Sequence, residues 1–139
     1  MQVLEGEGWR LLVDPARHPF SVLIGGEAWA AEFTRAEALE LGRLAGALER
    51  QHASMADQLM PEESITLELE RDLEPGSLWM ELEGDRQRWC LRFVLTPAPG
   101  RRALEAGWTA QASAAISAAI LAALEGPALT RALSQLSPP

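Results

Sequence analysis

Hydrophobic and polar residues alternate along the segment Leu78–Leu95. Gly84-Asp85 interrupts this alternation and is typical of a two-residue hairpin loop. A hairpin closed there puts apolar side chains on one face and charged side chains on the other, and a one-residue slip would reverse the faces. The predicted pairs are Glu83 with Arg86, Glu81 with Arg88, Met80 with Trp89 and Leu78 with Leu91. The segment therefore predicts a half-buried antiparallel sheet.

Further strands are predicted on both sides of this hairpin. Gly8–Asp14, Phe20–Ile24 and Glu27–Phe33 have the patterns of three strands. Gly25-Gly26 predicts a tight turn between the last two, with Val22 opposite Trp29. Ile65–Glu70 alternates in the same way and precedes the Leu78–Leu95 hairpin.

Two helices are predicted, one after each group of strands. Thr34 and Glu37 have the spacing of a capping box, and the helix should run to about Met60, because Pro61 cannot continue it. Thr109 is the predicted cap of a second helix ending at Leu124. Gly42 and Gly46 flank the apolar stripe of the first helix. They predict close approach of another backbone, because glycine costs about 1 kcal/mol in a helix interior.

The predicted fold is α+β, an antiparallel β-sheet of about six strands in the order βββα-βββα with two main helices packed on it. Residues 1–139 are predicted to form a single domain, in which about 128–139 form a tail with a short helix or a frayed end. The segment Ala106–Leu124 contains no charged residue. Because it consists mostly of alanine with polar residues, we expect no membrane span.

The formal net charge is −8, and all twelve basic residues are arginine. Such a field repels nucleic acid and anionic membranes at long range. Cys90 is the single cysteine, which excludes an internal disulfide and favours a reducing compartment. The first residues lack the basic and apolar regions of a secretory signal. We therefore expect a cytoplasmic protein.

One surface is a candidate for binding. An exposed tryptophan on a sheet marks binding or dimer surfaces, and arginines beside aromatic residues are typical of single-strand binders. The glutamates on the same predicted face favour a solvated, charge-paired surface instead. The candidate residues are Trp79, Arg86, Arg88, Arg92, Arg101 and Arg102.

No catalytic, cofactor-binding or metal-binding residues are predicted. His18 lies in a proline-bounded turn, and His52 lies on the apolar side of the first helix as a boundary residue with an exposed ring edge. Neither has partners at the spacing of zinc ligands. Cys90 is placed on the outer strand face opposite Trp79, as a partly covered structural thiol without a histidine base.

Four segments carry a resemblance to a known family: Gly6–Arg10, Phe20–Ala30, Leu78–Gly84 and Gly100–Arg102. They resemble a small family of uncharacterised cyanobacterial proteins known as a domain of unknown function. The resemblance implies a fold similar to the Whirly group of single-stranded-DNA-binding transcriptional regulators, with antiparallel sheets, helices and frequent dimers. It supplies no catalytic residues, and fold does not fix function.

Three hypotheses of function follow. The first is a non-catalytic binding or scaffold protein, without a cofactor, that acts through a protein partner or as a homodimer. The second is a single-stranded nucleic-acid-binding regulator, implied by the fold resemblance but opposed by the net charge. The third is a small-ligand carrier that uses a cleft between sheet and helix. The sequence identifies neither the partner nor the pathway.

Overall fold

The computed structural model describes residues 1–126, which form eight strands and two helices in the order ββββα-ββββα. The first half consists of β1 (Gln2–Gly6), β2 (Trp9–Val13), β3 (Val22–Gly25), β4 (Ala30–Phe33), α1 (Arg35–Met55) and a short 3₁₀ turn (Ala56–Gln58). The second half consists of β5 (Ile65–Asp72), β6 (Ser77–Gly84), β7 (Trp89–Thr96), β8 (Leu104–Gly107) and α2 (Ala110–Leu124). The predicted tail at about 128–139 lies outside the described residues.

Each group of four strands forms its own antiparallel sheet, with the strands in sequential order. The predicted α+β class with antiparallel pairing and two main helices is confirmed. The strand number is eight in two sheets rather than about six, so four strands precede each helix. The additional strands, β1 and β8, lie at sheet edges. In β1 only Leu4 is half-buried, and the strand therefore shows no period-2 burial.

The β6–β7 hairpin has the predicted faces but a different register. Leu82 pairs with Leu91, and Leu78 pairs with Leu95 rather than with Leu91. The loop contains four residues, Asp85–Arg88, and the Asp85 carboxylate accepts backbone hydrogen bonds from Gln87 and Arg88, both at 2.8 Å. These bonds lower the pKa of Asp85. Since the shift is by an even number of residues, the same side chains still face the core.

The β3–β4 hairpin departs from the predicted register in the same way. Val22 pairs with Phe33 rather than with Trp29, and Gly25 pairs with Ala30. The loop again contains four residues, 26–29, and is closed by a 2.9 Å hydrogen bond from the Gly26 amide to the Trp29 carbonyl. The equivalent bond in the β6–β7 loop runs from the Asp85 amide to the Arg88 carbonyl, also at 2.9 Å. The two halves of the chain thus share a loop design as well as an order of elements.

Both helices begin at the predicted threonine. Thr34 Oγ1 accepts from the Glu37 amide at 3.1 Å, and Glu37 Oε1 accepts from the Thr34 amide at 2.8 Å, which confirms the capping box. Thr109 caps α2 by accepting from the Ala112 amide. Helix α1 ends at Met55, earlier than predicted, and continues as the 3₁₀ turn.

Each helix packs on the sheet of the other half of the chain, and α2 also packs on the sheet of its own half. Helix α1 packs on β5 and β6, whereas α2 packs on β2 and β7, and the two helices pack on each other. Two tryptophans connect the halves: Trp29 Nε1 donates to the Gly107 carbonyl at 2.8 Å, and Trp108 Nε1 donates to the Gly25 carbonyl at 3.2 Å. The two tryptophan rings lie 5.4 Å apart, and the Phe93 ring packs against both in the core. The fold is therefore held together by an aromatic cluster shared by the two halves.

Among residues 1–126, neither helix combines the length and the apolar character that a membrane crossing requires.

Candidate binding surfaces

The outer face of the second sheet carries Trp79 and Arg92 of the predicted surface. The Arg92 guanidinium lies 4.8 Å from the centre of the Trp79 ring, a cation–π distance. It also binds Glu105 at 2.6 Å and Glu81 at 3.3 Å. Burial works against the charged guanidinium, but the two glutamates outweigh it and raise the pKa of Arg92. The Arg92 guanidinium is thus bound by side chains of the sheet to which it belongs.

Glutamates dominate this outer face. Glu81 lies between Glu68 on β5 and Arg92 on β7, and Glu70 lies beside Trp79. Glu83 pairs with Cys90, which is exposed and does not lie opposite Trp79 as predicted. Among residues 1–126, the face therefore carries several carboxylates around a single guanidinium.

The other four predicted arginines do not lie on this face. Arg86 and Arg88 are exposed in the β6–β7 loop, because that loop has four residues instead of two. Arg101 and Arg102 are exposed in the β7–β8 loop. The two loops lie at opposite ends of β7, about 25 Å apart for eight residues at about 3.3 Å each. The structure therefore splits the predicted surface into one sheet face and two distant loops.

His52 is buried, with 2% of its surface exposed, so the predicted exposed ring edge is wrong. Its Nε2 lies 2.8 Å from the Asp85 carbonyl, and its ring packs 4.6 Å from the Trp89 ring. Glu49 lies one turn earlier on α1, and burial raises the pKa of its carboxyl group. Glu49 Oε1 and Trp89 Nε1 are buried without a hydrogen-bond partner within residues 1–126. His52 thus ties α1 to the β6–β7 loop.

A groove lies between the start of α1 and the β5–β6 turn. The sequence predicted no residues for it. It is open to solvent and has a volume of about 710 Å³, within the range of about 300–1,000 Å³ typical of ligand sites. We call it the α1 groove. Its lining is mostly apolar and includes Phe20, Ala36, Leu39, Leu73, Pro75 and Pro97.

Phe20 is the most unusual part of this lining, because a large aromatic side chain there is 46% exposed. Glu74, in the β5–β6 turn that also lines the groove, has a φ of 40°. A left-handed conformation costs a residue with a side chain about 1–2 kcal/mol, and such strained residues concentrate at binding sites. An exposed aromatic and a strained turn thus meet at one groove.

Six charged side chains also line the α1 groove, and we call them its rim. They are four carboxylates and two guanidiniums, from Glu37, Glu40, Asp72, Glu74, Arg43 and Arg71. Glu40 binds both guanidiniums, Arg43 at 3.0 Å and Arg71 at 3.3 Å. The hydrogen bond with Glu40 raises the pKa of Arg43. Asp72 and Glu74 have no ion-pair partner in the part of the chain that the structure describes. The rim therefore has an excess of negative charge.

Sequence patterns did not predict this groove. Its walls come from four segments that are distant in the chain, at Phe20, 34–43, 71–76 and Pro97. In the sequence, this apolar lining is visible only as a phenylalanine directly after Pro19 and as prolines in predicted loops. Such signals do not show that the segments meet.

The fold and these surfaces define an α+β protein built from two repeated ββββα units. The chain belongs to the DUF1818 family, a domain of unknown function, whose profile matches residues 4–123. The predicted membership of a family of unknown function is thereby confirmed.

A solved structure has a similar fold and sequence. The chain is similar to a protein with unknown function from the DUF155 family of Prochlorococcus sp. NATL2A, whose crystal structure was determined at 1.80 Å. The two are 37% identical with a TM-score of 0.78, and the match covers 86% of this chain and 96% of the other. No curated protein has a significant match to the chain. The similarity to the Whirly group stays a prediction.

Proposed function

We propose that this is a non-catalytic binding protein that holds an apolar, basic segment of a partner protein in the α1 groove. The observation that carries the proposal is an apolar groove with an exposed aromatic side chain and an acidic rim. Short amphipathic segments bind such grooves through apolar anchors, and charges at the rim select the partner and its orientation.

The charges favour a basic partner. Because Glu40 already occupies Arg43 and Arg71, the carboxylates of Asp72 and Glu74 remain for a ligand. The net charge of −8 also attracts a basic segment at long range. The partner is a different protein, one of the two forms of the first hypothesis from the sequence, because a second copy would carry the same net charge of −8.

Replacing Phe20 by serine is expected to weaken peptide binding by about tenfold or more, because a central aromatic anchor is lost. Peptides are first selected on the wild-type protein from a displayed random library of about twelve residues, which spans about three helical turns. We expect the selected sequences to combine Leu, Ile or Phe with Lys or Arg. Their affinities are then measured by fluorescence anisotropy.

Met60→Ser is the matched control, because Met60 is 61% exposed and does not line the α1 groove. It should leave the affinity unchanged. Peptides that bind both variants equally, or that are acidic, would contradict the proposal. An apolar dye that binds at Phe20 where no peptide does would support a small-ligand carrier instead.

The second candidate function is binding of single-stranded nucleic acid. It is favoured by the exposed arginines 86, 88, 101 and 102, which have no ion-pair partner among the first 126 residues. It is opposed by the glutamates around Arg92 and by the net charge. Labelled single-stranded DNA titrated at low and moderate salt separates the two functions. We expect no binding at the lowest salt, whereas phosphate contacts would give binding that weakens steeply as salt rises.

A further inference from the structure

The end of α2 lies beside the α1 groove. Arg35 Nη2 donates to the Leu124 carbonyl at 2.7 Å, which ties the last turn of α2 to the first turn of α1. Arg43 Nη2 lies 3.5 Å from Glu125, and the same Arg43 lines the groove. The chain that follows Gly126 therefore starts one side chain away from the groove.

The thirteen residues after Gly126 have the chemistry inferred for the partner. Their sequence places leucines at 129, 133 and 136, a spacing that puts apolar residues on one side of a helix, and its single charged side chain is Arg131. It contains no aspartate or glutamate, although the whole chain has a net charge of −8. A leucine-rich segment with one positive charge is complementary to an apolar groove with an acidic rim.

We propose that residues 127–139 compete with the partner for the α1 groove of the same molecule, so that the chain regulates its own binding site. This inference rests on the proposed function. Thirteen residues reach about 43 Å when extended, more than enough to cross from the end of α2 to the groove. Such a tether gives an effective concentration of about 1 mM, so a segment that binds with a Kd of about 0.1 mM weakens a competitor about tenfold.

The test uses the full-length chain and a labelled peptide with the sequence of residues 127–139. A variant in which Leu129, Leu133 and Leu136 are all replaced by serine is compared with the wild type. The variant should bind the peptide about tenfold more tightly, because its own segment no longer competes. Adding Phe20→Ser to the variant should abolish this binding, whereas adding Met60→Ser should not. A peptide with the three serines should not bind.

Three results would overturn the inference: equal peptide affinity for wild type and leucine variant, no binding to either, or binding that survives Phe20→Ser. A wild-type dimer in sedimentation that dissociates in the leucine variant would also overturn it, because the segment would then bind a second copy. The library-selected peptide separates the two proposals. If it binds wild type and leucine variant equally but loses affinity with Phe20→Ser, the proposed function stands and the competition is absent.

Discussion

Replacing Phe93 by alanine is expected to lower the free energy of unfolding by about 3–5 kcal/mol. Phe93 is fully buried, and its ring lies 5.7 Å from Trp29, 5.4 Å from Trp108 and 6.2 Å from Phe33. Trp29 and Phe33 belong to the first half of the chain and Phe93 to the second. The substitution therefore opens a cavity where the two sheets meet, and urea denaturation followed by circular dichroism measures the loss.

Val94→Ala is the matched control for Phe93→Ala. Val94 is the next residue on β7, points to the outer face and is only half-buried, so its loss should cost about 1 kcal/mol or less. If Phe93→Ala does not fold, Phe93→Leu keeps an apolar side chain in place and should show a smaller loss. Equal losses for Phe93→Leu and Val94→Ala would contradict the central role of the aromatic cluster.

The faces of the second sheet could be predicted from sequence, but the register could not. Alternation identifies which side chains share a face, and this remains true when the pairing shifts by an even number of residues. Leu78, Met80 and Phe93 are accordingly buried as predicted. The placement of Trp79 and Arg92 on the outer face is correct for the same reason. Burial periodicity thus carries information about faces and none about loop length.

Glycine explains why both hairpin loops were predicted too short. The two-residue primed turns require a positive φ, whereas in residues 1–126 the glycines with a positive φ are Gly8 and Gly100. Gly84 is instead the last residue of β6, where a Cβ atom would collide with the Arg88 carbonyl. The glycine is needed for close approach of two strands. Asp85, whose side chain bonds to the backbone two and three residues later, stabilises the four-residue loop.

The α1 groove shows the limit of reasoning from single segments. The sequence predicted that Glu37 caps α1, and the structure confirms this cap. The capping role does not indicate that Glu37 also lines a groove. That information depends on how α1 packs over the second sheet, which brings it to Leu73 and Pro75. Local patterns predict elements, whereas a groove between elements depends on tertiary packing.

Replacing Gly42 by alanine is expected to destabilise the protein by about 1–3 kcal/mol, the usual cost of overpacking. A Cβ atom at Gly42 would lie 2.6 Å from Ile120 Cγ2, too close for any real contact. Ile120 is a fully buried β-branched residue on α2, so its side chain has little freedom to move. The helices would have to separate, which agrees with the close approach predicted from the glycine pair in α1.

Gly46→Ala is the matched control and should change stability in the opposite direction. Its Cβ atom would lie 3.3 Å from Arg50 Nη1 and 3.4 Å from Leu121 Cδ1, both at the ends of flexible side chains. These atoms can move by a few tenths of an ångström, so the better helix propensity of alanine should raise the free energy of unfolding by up to about 1 kcal/mol. Thermal and urea unfolding of both variants measure the difference. If the two substitutions shift stability in the same direction, steric contact between α1 and α2 at Gly42 is not what requires that glycine.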